Sequence, residues 1–159
     1  IVTYHWVKQP WDLRVDESGI IEFLNETQGV YQCGVAIGGC DPRVVTREFD
    51  TTRWEPQADR LTDFLLVLLA FELPAQGERS AMGSFPDNDV SRCAQGLECV
   101  YLPVVWMSQK SVTIYHGEGV MILAVANSNA QTTYLQAAAQ SEKHFDALRS
   151  FGQWEQVFQ

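Results

Sequence analysis

What this chain lacks narrows its function first. No apolar run approaches the ~20 residues that a membrane-spanning helix needs. The longest, Phe64–Phe71, covers eight residues and is expected in a buried helix. Ile1–Pro10 has neither the basic start nor the apolar stretch of a secretory signal. Bases are scarce: 11 Lys and Arg stand against 20 Asp and Glu, for a net charge of −9. Nucleic acid and anionic membranes both call for basic patches, so neither is an expected partner. The acidity serves either solubility alone or the attraction of a basic protein.

Catalytic and metal-binding signatures are missing too. The three histidines, His5, His116 and His144, form no H-x-x-x-H pair. The four cysteines are Cys33, Cys40, Cys93 and Cys99, and their spacings match no common zinc pattern. Cys33 lies in an apolar strand and reads as a small core residue. Cys40 and Cys93 sit in loop-like surroundings where an oxidising compartment would allow a disulfide. Without a secretory signal, free thiols are the expectation. There is no Walker A motif and no G-x-S-x-G; Met82–Pro86 reads M-G-S-F-P and lacks the second glycine. The glycines of Gly34–Gly39 are followed by no helix, so they make no dinucleotide loop. No catalytic residue, cofactor or metal is therefore expected. A Cys–His pair or two close carboxylates, the marks of a small hydrolase, form the weaker alternative.

What is present suits one domain spanning residues 1–159. Apolar residues make up 46% and charged residues 19%, a globular balance. The organising stretch is Gly19–Val35, where the apolar runs Ile20–Leu24 and Val30–Val35 flank the polar Asn25–Gly29. This predicts a hairpin, with the second strand reaching Ile37. Before it, Tyr4, Trp6 and Trp11 lead to a turn at Asp16–Gly19. After it, Gly38–Pro42 predicts a turn and Arg43–Phe49 a β-branched strand. Thr51–Pro56 is a connection ending near Trp54. Leu61, Phe64, Leu65, Leu68 and Leu69 follow helical spacing and predict a buried helix over Gln57–Leu73, stopped by Pro74.

Ala75–Gly96 reads as a long polar loop. Strands follow at Glu98–Met107, with Pro103 suggesting an edge, and at Ser111–His116 and Val120–Ala126, joined by a tight turn at Gly117–Gly119. Asn127–Ala130 is another turn and Thr132–Ala138 a last strand. Ser141 is a good N-cap for a helix over Glu142–Phe151, stopped by Gly152. The tryptophans, Trp6, Trp11, Trp54, Trp106 and Trp154, are expected in or beside the core. Any that is exposed becomes a contact candidate.

Several strings in this order resemble the SUKH superfamily, the Smi/Knr and Syd type of domain. D-L-R-V-D-E-S-G-I-I-E-F-L-N-E at Asp12–Glu26 is similar to that family's opening pattern. E-T-Q-G-V-Y-Q-C-G-V at Glu26–Val35 is similar to its E-N-Q-G-V…W-G-V. D-P-R-V at Asp41–Val44, Trp54 with D-F-L-L-V-L-L at Asp63–Leu69, and T-I-Y-H-G-E-G-V-M-I-L-A-V at Thr113–Val125 continue the likeness. Thr27 and Cys33 depart from it. The family's N-terminal helix is absent or replaced by the Trp-rich segment Tyr4–Trp11.

The resemblance implies an α+β fold: a mixed, mainly antiparallel sheet of about six strands, backed by a long buried helix and a C-terminal helix. It implies no catalytic machinery. The function implied is stoichiometric binding of a protein, most naturally an immunity protein that neutralises a cognate, basic bacterial toxin in the cytoplasm, as a monomer or weak dimer. A regulatory or scaffolding module of the same fold, without a toxin, is the alternative. The candidate partner-binding residues are Asp16, Glu17, Glu22, Glu26, Gln28 and Trp54.

Overall fold

Strand dominates the molecule. The computed structural model describes residues 5–76, 79–106, 110–127 and 131–158, without the side chains of residues 75, 76, 106 and 110. The expectations for Tyr4, the Trp106 side chain, Met107 and the turn at 128–130 lie outside the described residues. Among the described residues there are twelve strands and three α-helices, and every described pairing is antiparallel. This overturns the expected mixed sheet of about six strands backed by a long buried helix. The chain divides into two compact units, Ile1–Leu66 and Val67–Gln159. Among the described residues no helix is long and apolar enough to cross a membrane.

The N-terminal unit holds β1 (His5–Val7), β2 (Arg14–Val15), β3 (Ile20–Glu26), β4 (Tyr31–Ala36), β5 (Val44–Glu48) and β6 (Glu55–Ala58). Their order is β1-β3-β4-β5-β6, with β2 also paired to β3. The predicted hairpin forms from β3 and β4. Both turns that bound β3 are built by an acidic side chain folding back on its own backbone. Asp16 Oδ1 accepts from the N–H groups of Ser18 (2.8 Å) and Ile20 (3.0 Å), with Gly19 at φ +75°. Glu26 Oε2 accepts from those of Gln28 (2.9 Å) and Val30 (3.2 Å), with Gly29 at φ +72°. The connection expected at Thr51–Pro56 ends inside β6, whose polar E-P-Q-A has no strand signature.

Helix α1 (Leu61–Gln76) carries the boundary between the units. It starts later than expected and runs past Pro74, which lies within it. Its first turn is capped from a distant loop: Asp41 accepts from the Thr62 N–H (2.9 Å), the Thr62 hydroxyl (2.7 Å) and Arg60 Nε (2.9 Å). These donors hold the Asp41 carboxyl down at about 2. The helix is not buried all round. Phe64, Val67, Leu68 and Ala70 are buried, whereas Leu65, Leu66, Leu69 and Leu73 are exposed. An all-leucine surface carries no face information, so helical spacing could not separate the buried side from the wet one.

The C-terminal unit contains β7 (Ser80–Pro86), α2 (Asp87–Cys93), β8 (Glu98–Trp106), β9 (Lys110–Gly117), β10 (Val120–Asn127), β11 (Thr132–Ala139), α3 (Glu142–Ser150) and β12 (Gln156–Phe158). The strand order is β8-β9-β10-β11-β7-β12. The long loop expected at Ala75–Gly96 is in fact β7 followed by α2. Pairing with β11 on one side and β12 on the other makes Ser80–Pro86 a strand despite its weak propensity. Pro103, which has no N–H to give, falls in the irregular stretch between Leu102 and Trp106. The turn from β9 to β10 uses positive φ at Glu118 and Gly119, the tight-hairpin geometry. Ser141 caps α3, its hydroxyl accepting from the His144 N–H. Phe145 and Leu148 of α3 and Val90 and Cys93 of α2 meet Ala81, Phe85, Ile122, Leu135 and Ala137 of the sheet in one dry core.

Candidate functional site

Four strands of the N-terminal unit present a continuous polar row. Trp6 on β1 pairs with Asn25 on β3, Asn25 with Gln32 on β4, and Gln32 with Arg47 on β5. Directly paired residues share a face, so all four stand on one side of the sheet. Glu22 joins them because of a fault in the strand. In a regular strand residues 22 and 25 would face opposite ways. The register shift between Glu22 and Leu24 absorbs one residue and turns both to the same side.

Glu22 is the hub of this face. It pairs with Lys8 and with Arg47 Nη2 (3.3 Å), and its Oε1 accepts from Gln32 Nε2 (3.1 Å). The donor pattern orients the Asn25 amide with its nitrogen toward Glu22 Oε1 (2.9 Å). Arg47 Nε in turn donates to Gln32 Oε1 (2.9 Å). The side chains of Lys8, Glu22 and Arg47 are only 26%, 15% and 21% exposed, so the network is half withdrawn from water.

Trp54 closes one side. The Arg47 guanidinium lies 4.3 Å from its ring centroid. The indole Nε1 donates to Asp16 Oδ2 (2.8 Å). Gly34 makes room for the ring: a Cβ there would sit 3.2 Å from it and 2.4 Å from Ile20 Cγ2. The Ile20 N–H, helped by the Trp54 indole and the Ser18 N–H, holds the Asp16 carboxyl below the usual carboxylate range, against some desolvation.

Of the six sequence candidates, Asp16, Glu22 and Trp54 are thus brought together through Arg47. The other three are not. Glu26 is buried and spent on the hairpin turn. Glu17 and Gln28 are exposed in two different turns. The acids expected to form a bare acidic surface are largely neutralised where they stand: Glu22 and Asp16 face two cations, Lys8 and Arg47. Lys8, Asn25, Gln32 and Arg47 carry no sequence signal, because cross-strand pairing aligns the last three and the bulge in β3 turns Glu22 to meet them.

Beside this network lie the most exposed aromatics of the unit. Trp6 is 68% exposed and Trp11 71%, while Val7 and Val15 are also exposed. Trp11 is tied in through its carbonyl, which accepts from Arg14 Nη1 (2.7 Å), and Arg14 pairs across β2 and β3 with Glu22. The expectation that these tryptophans sit in or beside the core fails for Trp6 and Trp11. It holds for Trp54 and Trp154, which are half-buried; Trp154 donates to the Leu148 carbonyl (3.0 Å) and packs edge-on to Phe85.

The groups weighed for catalysis are placed as follows. Cys33 is fully buried and burial pushes its thiol up to about 12, so it is held as an unreactive core residue. All four cysteines are free thiols. Cys99 pairs with Tyr115 and Glu98 with His116, so the Cys99 thiol and the His116 ring face opposite sides of their strands. His144 Nδ1 meets the Ser141 hydroxyl (2.9 Å) at the start of α3, inside the helix cap. Among the described residues no group of three or more His, Cys, Asp or Glu is placed to hold a metal ion. Glu22 has most of its acceptor positions filled by Lys8, Gln32 and Arg47. Comparison with protein-family models, with curated proteins and with solved structures finds no match to this chain.

Proposed function

We propose that this protein is a non-enzymatic binding domain that engages a protein partner through the Trp6–Trp11 side of its N-terminal unit. One observation carries the reading. Two tryptophans, about two-thirds exposed or more, stand beside a preorganised polar network that needs neither of them for its own hydrogen bonds. Tryptophan next to arginine and amide groups is the composition of an interface centre, where buried anchors are ringed by satisfied polar groups. A face already held in position loses little entropy when it is covered.

The narrower form of this proposal is an immunity-type role, stoichiometric neutralisation of a basic toxin in the cytoplasm. The net charge of −9 supports it, as do the four free thiols and the sequence resemblance. The placement of the acids shifts the weight of recognition from charge to apolar contact. Of Asp16, Glu17, Glu22 and Glu26, only Glu17 is exposed and uncommitted among the described residues.

The test is cross-linking of the tagged protein in its native cells, with identification of what is captured, run beside the Trp6→Ala/Trp11→Ala variant. The expected result is one dominant partner, at 1:1 stoichiometry, lost from the variant while the far-ultraviolet circular dichroism is unchanged. Equal capture by the variant removes this face. An inhibited toxin as the partner supports the immunity role, and a partner without toxic activity supports the scaffolding one.

A further inference from the structure

A second surface, in the C-terminal unit, carries chemistry that the fold does not use. On β9 the residues Ser111, Thr113 and Tyr115 alternate with the buried Val112 and Ile114, so their hydroxyls share one face. On that face Ala124 pairs with Thr113, and Ala126 pairs with Thr133 on β11. Helix α2 stands over the same side and brings Asp87 and Ser91. Together these residues line an open recess of about 180 Å³, with Ala124 and Ala126 on the sheet side and Val90 on the helix side. Small side chains on the sheet side make the hollow, and oxygen atoms make its wall.

The wall is uncommitted. Among the described residues, the hydroxyls of Ser91, Ser111, Thr113 and Tyr115 have no hydrogen-bond partner. Among the described residues the one hydrogen bond from the Asp87 side chain is on Oδ1, which accepts from the Thr133 hydroxyl (2.8 Å). That bond fixes the carboxylate and leaves Oδ2 open. Asp87, Ser91 and Ser111 are exposed at the mouth, and Thr113 and Tyr115 are half-buried further in, so water is the partner that a ligand would displace.

We propose that this recess binds a small neutral polyhydroxy molecule, of monosaccharide or cyclitol size. Hydroxyls both donate and accept, and so match a ligand that does the same at every carbon. The carboxylate accepts from ligand hydroxyls through charge-assisted bonds, and the partly buried Tyr115 ring offers an apolar surface to ring C–H groups. The volume equals roughly six waters, below the ~300 Å³ at which drug-sized pockets begin. An anion is disfavoured because, among the described residues, the only charge in the lining is Asp87. An apolar ligand would strand the hydroxyls without partners.

The experiment is a titration of the isotope-labelled full chain with D-glucose, D-galactose, D-mannose and myo-inositol, each to ~100 mM, followed by amide NMR. Sodium sulfate and ethanolammonium chloride serve as anionic and cationic controls. At least one polyol should shift the amides of residues 87–91 and 111–115 saturably, with a millimolar dissociation constant. Thr113→Val, which removes a hydroxyl with no structural bond, should weaken that binding at least tenfold with the melting temperature unchanged. Asp87→Asn should weaken it too. No saturable shift from any polyol overturns the proposal. So does binding of only a control ion, or polyol binding that Thr113→Val leaves intact.

Discussion

The two units of this protein are held together by different chemistry. In the N-terminal unit six described apolar residues are buried with four polar ones, His5, Glu26, Gln32 and Gln57. In the C-terminal unit twenty are buried with three, Ser80, Thr133 and Gln136. The second unit is an ordinary dry core between a sheet and two helices. The first relies on carboxylates that close turns and on a salt-bridged face, and it leaves Trp6 and Trp11 outside. A surface kept in place by hydrogen bonds instead of by burial can present aromatics to a partner without collapsing over them.

Substitutions can break that contrast. The largest effect is expected in the dry core. Phe145→Ala, at a fully buried site beneath the sheet, should cost about 3–5 kcal/mol by urea denaturation. In the N-terminal unit Glu22→Gln should cost less, about 1–3 kcal/mol, because it strands Lys8 and Arg47 half-buried without their carboxylate. Gly34→Ala should fall in the same range of about 1–3 kcal/mol, since the new Cβ overlaps Ile20 and presses on Trp54. Its signature is a change in the near-ultraviolet circular dichroism of Trp54, with β-sheet content kept. If Glu22→Gln proved as costly as Phe145→Ala, the two units would not differ as described.

Acid should sharpen the comparison. Asp41 and Asp16 both have folded-state values below the ordinary 3.8. A carboxyl depressed on folding stabilises fully above its unfolded value, and that contribution is lost as the pH falls through the folded one. The melting temperature should therefore hold from pH 7 to about 5 and fall between about 4 and 2. Asp41→Asn keeps an acceptor for the first turn of α1 but not the charge, and should make the acid limb shallower. Amide hydrogen exchange at pH 3 should show the N-terminal unit opening first.

Local turns and caps are legible in the sequence, the extent of the sheet is not, and the misses have physical causes. The hairpin of β3 and β4, the tight turn at Glu118–Gly119 and the Ser141 cap were readable because turn and cap chemistry is local. The strands β6, β7 and β12 were not, because E-P-Q-A, S-A-M-G-S-F-P and Q-V-F become strands only through partners distant in sequence. For α1 the leucines that surround it hide both its start at Leu61 and its exposed side. At the candidate site the sequence offers Asp16, Glu22 and Trp54 as candidates. Their meeting through Arg47 is not legible there, because it depends on one bulged residue in β3 that no motif announces.

The smallest expected effect on stability belongs to the residues proposed to carry binding. Trp6→Ala and Trp11→Ala, singly or together, should move the urea midpoint by less than about 0.5 kcal/mol, as exposed side chains do. The decisive measurement is isothermal titration of the captured partner with the wild-type protein, with Glu17→Lys and with Trp6→Ala/Trp11→Ala. The expected result is a loss of at least about 30-fold in affinity for the tryptophan pair, the scale of a hot spot, and only a few-fold change for Glu17→Lys. An unchanged affinity for the tryptophan pair, or a larger loss from Glu17→Lys, would contradict the account.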